Sequence, residues 1–252
     1  MKEFIKSYWK TILFFTLVGL IGGFFTGLYI LDSYPASIQQ QILDQGINNI
    51  MLGILTAFQS AGYGLVLGTL GIILGKKIGL FKNERIIEKK PLIYASIISI
   101  IGGIGIIVPD FVFFGKYSQI IMDSYASKPT IDYMIAMVTY GGILEEVMLR
   151  LFMMSLIAYI LYLLFERNKD KPSAWIFVSA NIISAILFAL GHLPATFLII
   201  GITPMIILRC FLLNGTFGLM FGWLYRKYGL RYAMIAHMGC HIISKLIWII
   251  FI

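Results

Sequence analysis

The chain has 252 residues, of which 59% are hydrophobic and only 13% are charged. An ordinary soluble domain has about 25% charged residues, so a water-soluble globular protein is excluded because too few charges are present to cover its surface. The formal net charge is +8. The basic residues cluster in short loops between apolar runs, which indicates membrane topology rather than a nucleic-acid partner. We therefore expect a multi-pass protein of the cell membrane, surrounded by lipid.

Apolar runs long enough to cross a bilayer recur along the chain, since a helix needs about 20 residues to do so. The first, Thr11 to Leu31, is longer than the apolar region of a secretory signal, and we interpret it as a retained anchor. The others extend over Ile50 to Gly75, Pro91 to Val108, Ile131 to Phe165, Ala174 to Leu190, Thr196 to Tyr225 and Tyr232 to Ile252. The sixth run contains Asn214 and Gly215, where we expect a break. The sequence predicts an all-α, polytopic transmembrane helical bundle of about eight spans, or seven without that break.

Polar stretches separate the runs in the first half of the chain. Ile38, Ile42 and Ile47 are spaced like the apolar face of a short interfacial helix. The loop from Lys76 to Lys90 carries six Lys or Arg residues and two Glu residues, and is the clearest linker. The mixed sequence from Pro109 to Thr130 is expected to lie in the membrane interface.

Ionisable residues within the apolar runs are few, and each is costly in lipid, so function should be sought there. They are Glu145, Glu146, Arg150, His192, Arg209, His237, His241 and Lys245. All three histidines of the chain belong to this group. For Arg209 and Lys245 we expect the long side chains to reach the membrane interface.

The spacing of these residues indicates which of them can interact. Glu146 and Arg150 lie four residues apart on one helical face and are predicted to form a structural ion pair. Glu145 lies about 100° around the helix and needs a partner from another helix. His237 and His241 share one face of the last helix. A buried carboxylate beside imidazoles is what activation of a water by a general base requires.

Two alternatives to catalysis stay open for these residues. Membrane histidines often donate hydrogen bonds between helices, which is compatible with a non-catalytic scaffold or self-immunity protein. Chains of Glu and His also form proton pathways, as in a proton-coupled transporter. A transporter typically has an internal repeat with paired interrupted helices, and the sequence has none.

Three motifs in the second half of the chain match a known family. Glu145 to Arg150 fits E-E-x-x-x-R, Phe188 to His192 fits F-x-x-x-H, and Tyr228 to His237 fits the segment before the last histidine of the pattern. With these motifs the chain resembles the CPBP family of intramembrane proteases, which includes the CAAX prenyl endopeptidases and bacteriocin-processing or self-immunity proteins. The resemblance extends from Ile131 to His241. We therefore expect membrane spans and an interfacial segment over 1–130, and a CPBP-like protease core over 131–252.

The resemblance implies an endopeptidase that hydrolyses a peptide bond of a membrane-associated protein or peptide. Glu145 would act with His192 to activate water, and His237 and His241 would stabilise the oxyanion. Arg150 would hold the glutamate helix in place. His241 stands where the family commonly has Asn, and its imidazole can likewise donate a hydrogen bond.

The cofactor stays open at this point. The family has been described both as metalloproteases and as metal-free glutamate proteases, and the soluble signature H-E-x-x-H is absent. Glu145, His192, His237 and His241 are the candidate ligands if Zn²⁺ is bound.

Helix lengths predict where the site lies in the membrane. Glu145 and His192 are about 30 and 27 Å from the loop Glu166 to Lys171, whereas His237 is only about 9 Å from the loop Arg226 to Arg231. These two loops are therefore expected on opposite faces, which requires two short passes hinged near Arg209 to Gly215. With the amino terminus inside, the inner loops hold 13 Lys or Arg residues and the outer ones 5. This orientation puts the site near the outer face, at odds with cytoplasmic processing of CAAX substrates, so we assign no prenyl substrate.

Overall fold

The computed structural model describes residues 2–82 and 86–252, which are predominantly helical. The helices are α1 (Lys2–Ile30), α2 (Ala36–Asp44), α3 (Asn49–Lys77), α4 (Lys89–Val112), α5 (Gln119–Asp123), α6 (Ile131–Phe165), α7 (Ala174–Ile199), α8 (Pro204–Tyr228) and α9 (Leu230–Phe251). Within the described residues seven of them, all except α2 and α5, are long and apolar enough to cross a membrane. The predicted all-α polytopic bundle is confirmed, with the smaller of the two predicted numbers of spans. Glu84 and Arg85 of the predicted basic loop lie outside the described residues.

Local sequence signals fix several helix ends. The side chains of Asn48 and Thr130 accept hydrogen bonds from the backbone N–H three residues later, and so cap α3 and α6. Thr203 caps α8 in the same way, and Pro204 occupies its first position. Gly229 joins α8 to α9 with φ of 112°, a conformation that favours glycine. The result is a very tight reversal directly before the helix that carries His237 and His241.

The first two spans, α1 and α3, pack with their backbones close together. Thr56 donates a hydrogen bond of 2.7 Å to the carbonyl of Gly23 on the neighbouring helix. A Cβ added at Gly53 would lie 3.0 Å from the carbonyl oxygen of Phe24. Small residues at this contact therefore let the two helix backbones approach closely, as is common in lipid. On its other side α3 packs on α6, where Gly71 lies against Leu151.

One end of the bundle collects most of the cations, and we call it the basic face. Lys82 donates to the carbonyl of Lys227 at 2.7 Å, and Arg226 stacks on Phe177 near the start of α7. Lys76 at the end of α3 lies over the ring of Tyr8 in α1. The described Lys and Arg residues near this end are Lys2, Lys6, Lys10, Lys76, Lys77, Lys82, Lys89, Lys90, Arg167, Lys169, Lys171, Arg226, Lys227 and Arg231. The positive-inside rule predicts that this face is cytoplasmic.

The predicted hinge near Arg209 to Gly215 is wrong. Phe211–Gly215 is π-helical, and α8 continues through it as one candidate span. The loops after Phe165 and before Leu230 consequently lie at the same end of the bundle. The prediction from helix lengths that these two loops lie on opposite faces failed because the spans differ in length. Ser155 bonds Tyr225 at 3.0 Å, close to the Gly229 turn, whereas α6 continues about 15 Å further to Phe165.

The opposite end, which we call the distal face, is held by polar contacts. Asp110 of α4 accepts hydrogen bonds of 2.6 and 2.7 Å from Arg209 of α8, and one of 2.8 Å from Tyr125. Trp248 of α9 donates to the carbonyl of Tyr125 at 3.2 Å. The guanidinium of Arg209, which we expected to reach the membrane interface, is engaged by the fully buried carboxylate of Asp110.

Candidate active site

Glu145 and Glu146 lie in α6 between two π-helical stretches, Met137–Leu144 and Val147–Met154. Such stretches are wider than an α-helix and are frequent at functional sites. Gly142, just before the two glutamates, lets α9 approach, since a Cβ there would lie 2.8 Å from Cα of Met238. The two glutamates therefore occupy the part of α6 that is rewound and in close contact with the last helix.

Glu146 is fully buried and contacts two residues. Its Oε1 lies 2.9 Å from Nδ1 of His237, and its Oε2 lies 3.4 Å from Nε of Arg150. The predicted ion pair of Glu146 and Arg150 is thus present. The contact with His237 was not predicted, because it joins residues 91 positions apart in the sequence.

Aromatic rings enclose the Arg150 cation. Its guanidinium carbon lies 4.6 Å from the ring centroid of Phe188 and 5.6 Å from that of Phe221, and it donates to the carbonyl of Gly218 at 3.1 Å. Phe221 also stacks on His237, with centroids 4.5 Å apart. Cation–π contacts of this kind stabilise a desolvated charge. Phe188 belongs to the F-x-x-x-H motif, but nothing in the sequence distinguishes Phe221 or Gly218 from their apolar neighbours.

Glu145 faces a different histidine. Its Oε1 lies 3.9 Å from Nε2 of His192 on α7, which supplies the partner from another helix that its position requires. Nδ1 of His192 lies 2.8 Å from the carbonyl oxygen of Phe188. Because a carbonyl only accepts, Nδ1 carries the proton, and Nε2 of the neutral ring is an acceptor. The two side chains are 17% and 34% exposed, so this pair is more accessible than Glu146 and Arg150.

His241 lies one turn beyond His237 and stacks on it, with ring centroids 4.9 Å apart. Its ring also lies against Gly141, where an added Cβ would come within 2.8 Å of Nε2. Its Nδ1 is buried and has no hydrogen-bond partner among the described residues. The shared face predicted for His237 and His241 is confirmed, and the second ring offers an unengaged nitrogen.

The four residues predicted to be catalytic, Glu145, His192, His237 and His241, come together from α6, α7 and α9. As a zinc site they do not fit: no three His, Cys, Asp or Glu side chains within 2–82 and 86–252 are placed to hold a metal ion. Two ring nitrogens are already engaged, that of His237 with Glu146 and that of His192 with a carbonyl. The arrangement offers instead a carboxylate and an imidazole acceptor close enough to share one water.

Lys245 departs from expectation. It was expected to reach the membrane interface, but it is only 6% exposed. Its ammonium lies over the rings of Tyr133 and Trp248, at 4.9 and 5.5 Å from their centroids. The aromatic pair comes from α6 and α9, so the cation is held inside the bundle.

The second half of the chain matches a known protein family. Residues 128–243, which include every residue of the candidate site, match the family described as type II CAAX prenyl endopeptidase Rce1-like. Over this segment, which is somewhat under half of the chain, the protein is similar to the Rce1-like family, part of the CPBP family. No curated protein and no solved structure gives a match to the chain. The Rce1-like match begins just before α6 and ends within α9, and leaves α1, α3 and α4 outside it.

Proposed function

We propose that this Rce1-like protein is an intramembrane endopeptidase in which Glu145 and His192 activate a water for attack on a peptide carbonyl. The observation that carries the proposal is the 3.9 Å approach of Glu145 Oε1 to His192 Nε2, in the most accessible part of the ionisable cluster. Both atoms can accept a hydrogen bond, as the proton of an attacking water requires. The hydrogen bond from Nδ1 of His192 to the carbonyl of Phe188 leaves Nε2 as the ring nitrogen that faces the water.

In this proposal His237 and His241 stabilise the oxyanion that forms on the attacked carbonyl. Glu146 accepts from Nδ1 of His237 and orients the ring, and donation from Nε2 to the oxyanion requires the ring to carry a second proton. The unengaged nitrogen of His241 supplies a second donor where the family commonly has an amide. Arg150 is assigned a positioning role, because it touches Glu146 and the carbonyl of Gly218.

The proposed substrate is a membrane-associated protein or peptide. The seven-span arrangement puts the Gly229 turn at the basic face, and His237 lies seven residues, or about 10 Å, into the membrane from Leu230. With the basic face in the cytoplasm, the orientation no longer conflicts with processing of a cytoplasmic CAAX-type substrate. A site at this depth favours cleavage close to a membrane anchor.

Cleavage of candidate membrane peptides by purified protein tests the proposal. We expect wild type to give product, and Glu145→Ala and His192→Ala to give none. A chelator should change neither result, since no three metal ligands converge within 2–82 and 86–252. Glu3→Ala, which replaces an exposed glutamate, is the control for the loss of a carboxylate outside the site and is expected to cleave like wild type. Equal product from Glu145→Ala and wild type would refute the role of Glu145, and no product from either protein would favour a non-catalytic membrane protein instead.

A further inference from the structure

Lys245 lies on the same face of α9 as the two histidines of the site. The spacing His237, His241, Lys245 advances four residues at each step, so the three side chains follow one another along the helix. Lys245 is one turn, or about 6 Å, beyond His241 in the direction of the distal face. It is therefore a neighbour of the site although no motif includes it.

The Lys245 ammonium has no anionic partner in the described part of the chain, residues 2–82 and 86–252. The five ion pairs found there involve other cations. The buried acid at the same end of the bundle, Asp110, is already engaged by both Arg209 and Tyr125. A buried cation without a counter-ion is costly in the membrane, and aromatic faces offset this only in part.

Lys128, a second lysine at the distal face, has hydrogen-bond partners for its ammonium. Lys128 donates to the carbonyls of Trp248 and Ile249 at 3.3 and 3.1 Å, at the carboxyl end of α9. Those carbonyls form the negative end of the helix dipole, so Lys128 has a structural role. Lys245 has neither carbonyl nor carboxylate contacts of this kind with any residue that the structure describes, and Lys128 is its matched control.

We infer that Lys245 recognises a carboxylate of the substrate peptide and so determines which peptides are cleaved. The inference rests on the proposed function. Along α9 the ammonium-bearing residue is about 6 Å from His241 and about 12 Å from His237. An extended peptide advances about 3.3 Å per residue, which puts the carboxylate about two to four residues from the cleaved bond. Tyr133 and Trp248 exclude water from the ion pair of Lys245 with this carboxylate and so strengthen it.

Binding of a fluorescently labelled apolar peptide in detergent tests the inference without requiring turnover. The peptide is prepared with a free terminal carboxylate, with a terminal amide, and with a terminal amide plus one internal Glu in place of Gln. Binding is measured on the Glu145→Gln background. We expect one carboxylate-bearing form to bind roughly tenfold or more tightly than the amide. Which form gains affinity identifies the terminal or the side-chain carboxylate.

The preference should depend on Lys245 alone. We expect Lys245→Met to remove the difference between acid and amide peptides, Lys245→Arg to retain it, and Lys128→Met to leave it as in the Glu145→Gln parent. Equal affinity of all three peptides for the parent, or an undiminished preference in Lys245→Met, would overturn the inference. Equal affinity of the three peptides for the Glu145→Gln parent is measured without Lys245→Met, so that result does not depend on whether Lys245→Met folds. Failure of Glu145-dependent cleavage would instead refute the proposed function, which the binding measurement does not use.

Discussion

Nδ1 of His237 lies 2.9 Å from Oε1 of Glu146, so the last helix is bonded to one glutamate of the pair while the other, Glu145, faces His192 on α7. Adjacent residues in the sequence thus have separate partners on separate helices. Glu146 is fully buried between a histidine and an arginine, whereas Glu145 is partly accessible. We expect the first to maintain the structure and the second to take part in the chemistry.

Replacing Glu146 by Ala should destabilise the protein. The substitution leaves the Arg150 cation buried without its carboxylate, which typically costs about 3–5 kcal/mol. Cys210 and Cys240 are both free and buried, so a thiol-reactive fluorophore reports unfolding. We expect a lower unfolding temperature for Glu146→Ala than for Glu145→Ala. An unchanged temperature in Glu146→Ala would show that the contacts of Glu146 contribute little.

His241 can be exchanged for the residue that the family commonly has. We expect His241→Asn to keep activity, because the amide also donates a hydrogen bond, and His241→Ala to lose about 10²–10³-fold in kcat, as for other oxyanion donors. Peptide cleavage across a range of pH values checks both. If both variants keep the activity and pH profile of wild type, His241 has no role in stabilising the oxyanion.

Gly142 should not tolerate a methyl group. A Cβ at this position would lie 2.8 Å from Cα of Met238, so α6 and α9 would have to separate, at a cost of about 1–3 kcal/mol. At Gly62 in α3 a Cβ meets nothing within 4 Å. Gly62→Ala should therefore gain about 0.5–1 kcal/mol, because alanine favours the helix. Thermal unfolding of the two variants should shift in opposite directions, and a stable Gly142→Ala protein would contradict the close packing at the site.

The two ends of the bundle can be located by reporters. Fusions after Lys171 and after Lys227 should lie on the same side of the membrane, and a fusion after Ile252 on the other, because α9 crosses between them. Accessibility of each reporter in intact cells measures this. Reporters at Lys171 and Lys227 on opposite sides would restore the eight-span arrangement and its hinge.

The sequence was sufficient for most of the spans and for the members of the candidate site. Apolar length identified the helices, and scarcity of charge singled out Glu145, Glu146, Arg150 and the three histidines, because each charged group in lipid requires a reason. The Glu146–Arg150 pair followed from local spacing alone.

Contacts between distant parts of the chain could not be predicted in the same way. Arg209 donates hydrogen bonds to Asp110, 99 residues away in the sequence, and His237 is bonded to Glu146, 91 residues away. The hinge was predicted wrongly because helix length was equated with depth, although α6 extends well beyond its neighbours at the basic face. No residue type marks the π-helical stretches beside the glutamates.

The account depends most directly on Glu145 as the group that activates water. The decisive measurement is mass-spectrometric detection of peptide products from the purified wild type, Glu145→Gln and Glu3→Gln proteins under identical conditions. Glu145→Gln keeps the size and polarity of the side chain but removes the carboxylate, so it should fold normally and give no product. Glu3→Gln, altered at an exposed glutamate, should match wild type. Product from Glu145→Gln at the wild-type rate would contradict the account.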